Sequence, residues 1–221
     1  MKVVAVIPAY NEEKKVGEVV SALLPYVSEV IVIDDGSSDH TATVASAAGA
    51  LVYRFSINRG QGAALRAGFK KALERAADII ITFDADGQFD PADVPRLVSP
   101  IIKNEAEAVL GSRNLGTNNM PTMKKVLLSG AIKLTNLISG LSLSDTHNGL
   151  RAFSRGALEK LNLSQDRMAH ASEIIDQIAE YKIKYVEVPV TLRYTEYSLK
   201  KGQNLFDYLK ILADISIKKL L

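Results

Sequence analysis

The stretch IIITFDADGQFDP, residues 79–91, decides how the rest of the chain is read. Ile79, Ile80 and Ile81 form an apolar run of the kind found in strands buried on both faces, and it ends abruptly in carboxylates. A strand in an α/β sheet has this form when it delivers polar groups to a sheet edge where ligands bind. If the chain stays extended beyond Phe83, then Asp84, Asp86 and Gln88 alternate along it and project to one side. Two carboxylates that close repel each other unless a cation sits between them or one is protonated. Hard divalent ions such as Mg²⁺ accept carboxylate oxygens and substrate phosphates together, so Asp84, Asp86 and Gln88 are candidate metal ligands. The alternative reading is a strand followed by an acidic turn, since Asp-Gly is an ordinary turn signal.

Outward from this stretch, short β-rich runs alternate with helical patterns, the signature of βαβ units and a mostly parallel sheet flanked by helices. Strands are expected at 3–7, 30–33, 51–55, 79–83 and 108–111, with helices at 13–24, 41–48, 62–75 and 92–103 between them. The second half is less regular. It reads as a helix over 124–138, a strand near 150–154, a helix over 171–181, a strand over 185–190, a basic segment, and an amphipathic helix over 205–220. With no internal repeat, low-complexity tract or linker, the 221 residues are expected to form a single α/β domain.

Composition narrows the function classes. Twenty-seven basic residues against 25 acidic ones give a net charge of +2, so bulk electrostatics do not point to nucleic acid. The absence of cysteine excludes disulfides, zinc-thiolate sites and thiol catalysis, and fits a reducing cytoplasm. The N-terminus enters a strand directly, without the pattern of a signal peptide. The longest weakly charged stretch, 126–144, carries too many Ser, Thr, Asn and Gly residues to span a bilayer.

Polar residues recur where the strands end. Pro8-Ala9-Tyr10-Asn11-Glu12 follows the first, Asp34-Asp35-Gly36-Ser37-Ser38-Asp39 the second, and Asn58-Arg59-Gly60-Gln61-Gly62 the third. Each alone reads equally as a turn or helix cap; together with the aspartate cluster they converge on one crevice beyond the sheet edge. A carboxylate such as Asp35 can accept from ribose hydroxyls or a base N–H. Neither GxGxxG nor GxxxxGK[ST] is present after the first strand, which argues against a nicotinamide or Walker-type site.

These residues carry a resemblance. IPAYNE at 7–12, VIDDGSSDHT at 32–41, NRGQGAAL at 58–65, DADGQFDP at 84–91 and GSR at 111–113 resemble the family 2 glycosyltransferases. Within that family they resemble most the polyprenyl-phosphate, dolichol-phosphate mannose synthase-like branch, and SDTHNGLRAFSR (144–155) and EVPVTLRYTEYSLKKG (187–202) extend the likeness. The resemblance implies a GT-A fold and an inverting transfer from a nucleoside diphosphate sugar, UDP- or GDP-linked, with Mg²⁺ or Mn²⁺. It implies that Pro8, Tyr10, Glu12, Asp34, Asp35 and Gly60 hold the nucleotide sugar. Asp84, Asp86 and Gln88 match the metal and diphosphate cluster, and Arg113 a basic residue near the phosphates. Lys125 four positions before Ser129 matches a basic–serine pair of the polyprenyl-phosphate branch. Gln61 departs from the pattern, standing where a lysine is common. On this likeness residues 1–113 form a nucleotide-sugar half and 114–221 an acceptor half.

The chemistry asks for such groups. Breaking an anomeric bond leaves negative charge on the nucleoside diphosphate, which a metal and Arg or Lys stabilise. An alcohol acceptor needs a general base, whereas a phosphate acceptor needs only cations to hold it. Asp145 is a candidate second carboxylate for base work or, alternatively, a turn cap. Arg151, Arg193, Lys200 and Lys201 are candidates for an acceptor cation site or for a solvated basic face. His147 and His170 read as structural or catalytic, and Glu173 is expected to share a helix face with His170. Three functions compete: transfer to a polyprenyl phosphate at the cytoplasmic membrane face, transfer to a soluble or glycan acceptor, and nucleotide-sugar binding by a non-catalytic subunit working with a membrane partner. The first calls for membrane-surface contact, for which the 126–141 helix and the C-terminal helix are candidates.

Overall fold

The computed structural model describes residues 1–116, 130, 132, 135–137, 139–146 and 148–193. Seven strands form one sheet: β1 (Val3–Ala9), β2 (Glu29–Asp34), β3 (Leu51–Arg54), β4 (Ile79–Thr82), β5 (Ala108–Ser112), β6 (Arg151–Ser154) and β7 (Tyr185–Pro189). Their order is β3-β2-β1-β4-β6-β5-β7, and β6 alone runs antiparallel to its neighbours. The helices are α1 (Val16–Leu23), α2 (Thr41–Ala47), α3 (Gln61–Glu74), α4 (Val94–Ile102), α5 (Arg155–Lys160) and α6 (His170–Glu180).

The strands are apolar on both sides because both faces are covered. Ala5 and Ile7 of β1 pack with Val20 and Leu23 of α1 and Leu97 of α4, whereas Val4 and Val6 pack with Leu65 and Phe69 of α3 and Ile174 of α6. Helix α3 lies unusually close to the sheet, for a Cβ on Gly68 would come within 2.2 Å of Val6. The topology then places the functional segments. Since β1 to β5 and β7 all point the same way, their carboxyl ends share one edge. Antiparallel β6 starts at that edge, with Arg151 paired to Thr82, so the segment entering it arrives there too. The order in which strands are laid down reverses at β1, with β2 and β3 added on one side and β4 on the other, and this is the position where open α/β sheets hold ligands.

Three local readings change. The strand before the aspartates stops at Thr82, and residues 85–87 turn, with Gly87 at φ +74°; the acidic groups are gathered by a turn rather than by strand alternation. Helix α1 starts at Val16 instead of 13, because Glu12 N–H donates to Thr41 Oγ1 at 2.8 Å and Glu13 N–H to Asp39 Oδ2 at 3.2 Å. Helix α5, with Ser154 Oγ accepting from Ala157 N–H, was not anticipated; six residues are too few to show periodicity. Most of the helix expected at 124–138, and all of that at 205–220, lie outside the described residues.

Candidate active site

An open cleft lies over the β2–β1–β4 edge. Pro8 and Ala9 wall it from the end of β1, Tyr10 and Glu12 from the loop after β1, Asp35 from the loop after β2, Gln61 from the start of α3, and Asp84, Ala85 and Asp86 from the loop after β4. Side chains staple the first two loops together. Asn11, at φ +53°, donates its N–H to Ser37 Oγ at 2.9 Å, while Ser38 N–H donates to Asn11 Oδ1 at 2.9 Å. Tyr10 is 47% exposed, leaving its ring accessible.

The adjacent aspartates Asp34 and Asp35 divide their roles. Asp34 is fully buried, accepts from Ser37 N–H at 2.9 Å and pairs with Arg54 Nε at 3.2 Å. It shapes the turn and, unlike Asp35, is not among the residues that wall the cleft, although the resemblance implied a nucleotide contact for both. Asp35 does wall the cleft, and its carboxylate organises the third loop by accepting from Arg59 N–H, Gly60 N–H and the Asn58 amide. Gly60 thus enters through its backbone N–H, which donates to Asp35, and lies close against the 166–167 segment.

Asp84 and Asp86 stand at the other end. Burial and the neighbouring Asp86 charge push the Asp84 carboxyl up to about 7, against the pull of Arg151 and Arg113. Gln61 Nε2 donates to Asp84 Oδ1 at 3.2 Å, a neutral contact that adds no counter-charge of its own. Two hard oxygen donors with excess negative charge fit a divalent ion. Among the described residues no group of three or more acidic, His or Cys side chains gathers, so the remaining ligands would be water and substrate oxygens. Gln88 is not on the cleft wall; its N–H donates to Asp86 Oδ1 at 3.0 Å and its carbonyl accepts from Arg193 N–H at 2.9 Å.

Behind the aspartates lies a buried ionic chain. Arg113 forks onto Asp145, with Nε to Oδ2 and Nη2 to Oδ1 both at 2.6 Å, and its N–H also donates to Oδ2 at 3.0 Å. Glu187 on β7 in turn accepts from Ser144 N–H at 2.9 Å, Ser144 Oγ at 2.9 Å and Asp145 N–H at 3.1 Å. Asp145 therefore sits as the partner of a bidentate arginine, with both of its oxygens engaged. Glu187 belongs to a quoted motif but had no assigned role; what the sequence lacked was the β5–β7 pairing that brings it under residue 144.

The other cations separate. Arg151 is buried, its guanidinium bonded to the carbonyls of Asn148 (3.0 Å), Thr146 (3.3 Å) and Ala171 (3.5 Å), and burial lowers its pKa to about 10. It ties the 146–148 segment to α6 in place of the accessible acceptor cation expected from sequence. Arg193 is exposed and pairs with Asp90 at 2.5 Å. His170 is buried with Nδ1 2.7 Å from Arg167 O, and burial lowers its pKa to about 4, so it stays neutral. Glu173 instead caps residues 164–165, accepting from both their N–H groups. Lys125, Ser129, His147, Lys200 and Lys201 lie outside the described residues.

A mostly parallel sheet whose carboxyl edge carries a cleft walled by Tyr10, Asp35, Asp84 and Asp86 is the arrangement of a ligand-binding α/β fold. Residues 4–162 match the model of the glycosyl transferase family 2, and the chain belongs to that family. It is 39% identical to an uncharacterized protein of Methanocaldococcus jannaschii, over 99% of this chain and 93% of the relative. It is 36% identical to the UDP-N-acetylglucosamine–dolichyl-phosphate N-acetylglucosaminyltransferase of Methanococcus voltae, over 97% and 95% respectively. The structure is similar to that of the Mycobacterium tuberculosis glucosyl-3-phosphoglycerate synthase solved with Mn²⁺ and UDP-glucose, with TM-score 0.72, 21% identity, and coverage of 95% of this chain and 74% of that one. That likeness supports the GT-A fold.

Proposed function

We propose that this chain is a metal-dependent, inverting hexosyltransferase that moves a sugar from a UDP- or GDP-sugar onto a polyprenyl phosphate at the cytoplasmic face of the membrane. The observation that carries the reading is one cleft with an accessible aromatic ring and Asp35 at one end and the Asp84–Asp86 pair at the other. Asp35 and Tyr10, with Pro8 and Glu12 beside them, would hold the nucleoside, which leaves the diphosphate over Asp84 and Asp86. Mg²⁺ or Mn²⁺ held by those two carboxylates would neutralise the leaving diphosphate when bound. Arg113 adds fixed positive charge beside the same site, oriented by the Asp145 fork so that little reorganisation is needed as charge develops.

The acceptor argument rests on what Asp145 is doing. A hydroxyl acceptor must lose a proton, and Asp145, the base that such a reading assigns, has both oxygens on Arg113. A phosphate acceptor is already anionic and needs no base. The Methanococcus voltae relative is named for a dolichyl-phosphate acceptor, which agrees with this reading. Among the described residues no helix is long and apolar enough to cross a membrane, so contact with a lipid phosphate would be made at the surface. Lys125, Ser129, Arg193 and Lys201 are the proposed acceptor-side contacts.

Purified protein incubated with labelled UDP- and GDP-sugars, Mg²⁺ or Mn²⁺, and dolichyl or undecaprenyl phosphate should transfer label into organic-extractable lipid. Label appearing only in a glycan or soluble acceptor would move the function to surface polysaccharide assembly. Donor binding with no transfer to any acceptor would leave a nucleotide-sugar-binding subunit.

A further inference from the structure

Arg113 is held by more than its own fork. It donates to Asp145 through Nε, Nη2 and its backbone N–H, and its neighbours on both sides grip the preceding residue. Ser112 Oγ lies 2.6 Å from Ser144 Oγ, and the Asn114 amide donates to Ser144 O at 2.5 Å. The guanidinium stands near enough to Asp84 for its charge to act on that carboxyl.

Glu187 anchors the Ser144–Asp145 turn. Its Oε1 accepts from Ser144 Oγ at 2.9 Å and from Asp145 N–H at 3.1 Å, and its Oε2 accepts from Ser144 N–H at 2.9 Å. Because the Ser144 hydroxyl hydrogen points at Glu187, the Ser112–Ser144 contact runs one way, with Ser112 as the donor. Two successive backbone N–H groups and a hydroxyl facing one group form a small anion-binding concavity, which suits an acceptor-only carboxylate better than an amide. The sheet fixes that carboxylate in space, since Glu187 pairs in register with Leu110 of β5, just before the Arg113 loop. The loop itself stays against the end of β7: Val190 N–H donates to Ser112 O at 3.1 Å, and a Cβ on Gly116 would lie 2.1 Å from Val190 O.

We infer that Glu187 is a positioning residue for Arg113, holding the Ser144–Asp145 turn so that the guanidinium stays fixed beside the Asp84–Asp86 end of the cleft. This rests on the reading of that end as the diphosphate site. Glu187 acts at two removes, through Asp145. An amide in its place would turn an NH₂ group towards one of the three donors, and the turn would shift with Asp145 and the guanidinium attached to it.

A double-mutant cycle of Glu187→Gln and Arg113→Lys in the full chain tests this, read by calorimetric binding of UDP and GDP with Mn²⁺ and by transfer from labelled donor. Glu187→Gln alone should lower kcat/KM by on the order of tenfold and weaken whichever nucleotide the unaltered protein binds. In the Arg113→Lys background the same substitution should change either readout by less than about twofold, because the group it misplaces is already gone. A contribution to the fold alone would give equal factors in both backgrounds, and equal factors overturn the inference. Should Glu187→Gln fail to fold, Ser144→Ala removes only the hydroxyl from the same turn and goes through the same cycle with the same cancellation expected. Binding of neither nucleotide to the unaltered protein overturns the reading of the cleft and the inference with it. Binding without transfer overturns the transferase reading alone, and the binding arm of the cycle then decides the inference.

Discussion

Gly149 lies against the Asp84 carboxylate so closely that a Cβ on it would sit 2.7 Å from Oδ2 and 2.9 Å from Oδ1. Thr82 Oγ1 fixes that contact from below, donating to Gly149 O at 2.5 Å while accepting from Arg151 N–H at 3.2 Å. The backbone of residue 149 is thus the back wall that sets where the first aspartate points.

Gly149→Ala should therefore damage activity more than stability. The group that must yield is the end of a short side chain, not a packed core, so Asp84 swings while the fold holds. Misplacing a reacting group by about 1 Å costs on the order of a hundredfold, so kcat/KM should fall between ten- and a hundredfold. The thermal midpoint should move by less than about 4 °C, corresponding to roughly 1 kcal/mol for a chain of this size. A full-activity variant with normal stability would show that Asp84 does not need this wall.

The buried pair of Arg113 and Asp145 separates stability from function. Asp145→Asn leaves a buried guanidinium without its counter-charge and should cost about 3–5 kcal/mol in urea unfolding. Replacing both residues by apolar ones of similar size, Arg113→Met with Asp145→Leu, should recover most of that loss, because desolvation of the two charges is relieved together. Activity should not return with it if the guanidinium acts on the diphosphate. Recovery of transferase activity in the double variant would reduce Arg113 to a structural role.

Much of this site was readable before folding, and the limits have physical causes. The apolar runs at 3–7, 30–33 and 79–83 gave strands because burial on both faces leaves no room for alternation, and the loops beyond them had to share an edge once the strands were parallel. The Asp34–Asp35 pair was not resolvable in the same way. One faces a turn and the other a cleft, and that choice is made by Arg54 on β3 and by the 58–60 loop, both distant in sequence. Arg151 looked like an acceptor cation because it stands in a polar motif, yet carbonyls of the 146–148 segment and α6 enclose it. The expected acceptor residues Lys125, Ser129 and Lys201 lie outside the described residues.

Metal dependence should be visible without turnover. Nucleoside diphosphate at about 100 times its Kd stabilises a protein by about 2.7 kcal/mol, which for this length raises the melting midpoint by roughly 5–10 °C. That shift should require Mg²⁺ or Mn²⁺, vanish with EDTA, and collapse in Asp86→Ala with the unliganded midpoint kept. Gln61→Lys should raise the metal concentration needed, since an ammonium beside Asp84 would take the place of the neutral Gln61 contact and compete for the same charge. An EDTA-insensitive shift in the unaltered protein would remove the cation from the site.

His170 and Asp84 give the metal-free protein two opposed pH responses. His170 has its folded pKa lowered from 6.5 to about 4, mainly by burial and also by Arg151, with the Arg167 carbonyl and Glu173 acting the other way. Between these values the unfolded chain binds the proton and the folded chain does not, so this contribution is present above pH 6.5 and is lost as the pH falls towards 4. At most it amounts to about 3 kcal/mol. Asp84, with its folded pKa raised from 3.8 to about 7, works in reverse, since its ionisation destabilises the fold as the pH rises through that window. In the unaltered protein the two slopes largely cancel. His170→Asn keeps a donor for Arg167 O but cannot titrate, and so exposes the Asp84 slope alone. Measured in EDTA by urea unfolding, its deficit against the unaltered protein should shrink steadily from pH 7.5 to pH 4.5. A deficit that is constant over that range would mean that residue 170 is solvated enough to protonate normally in the fold.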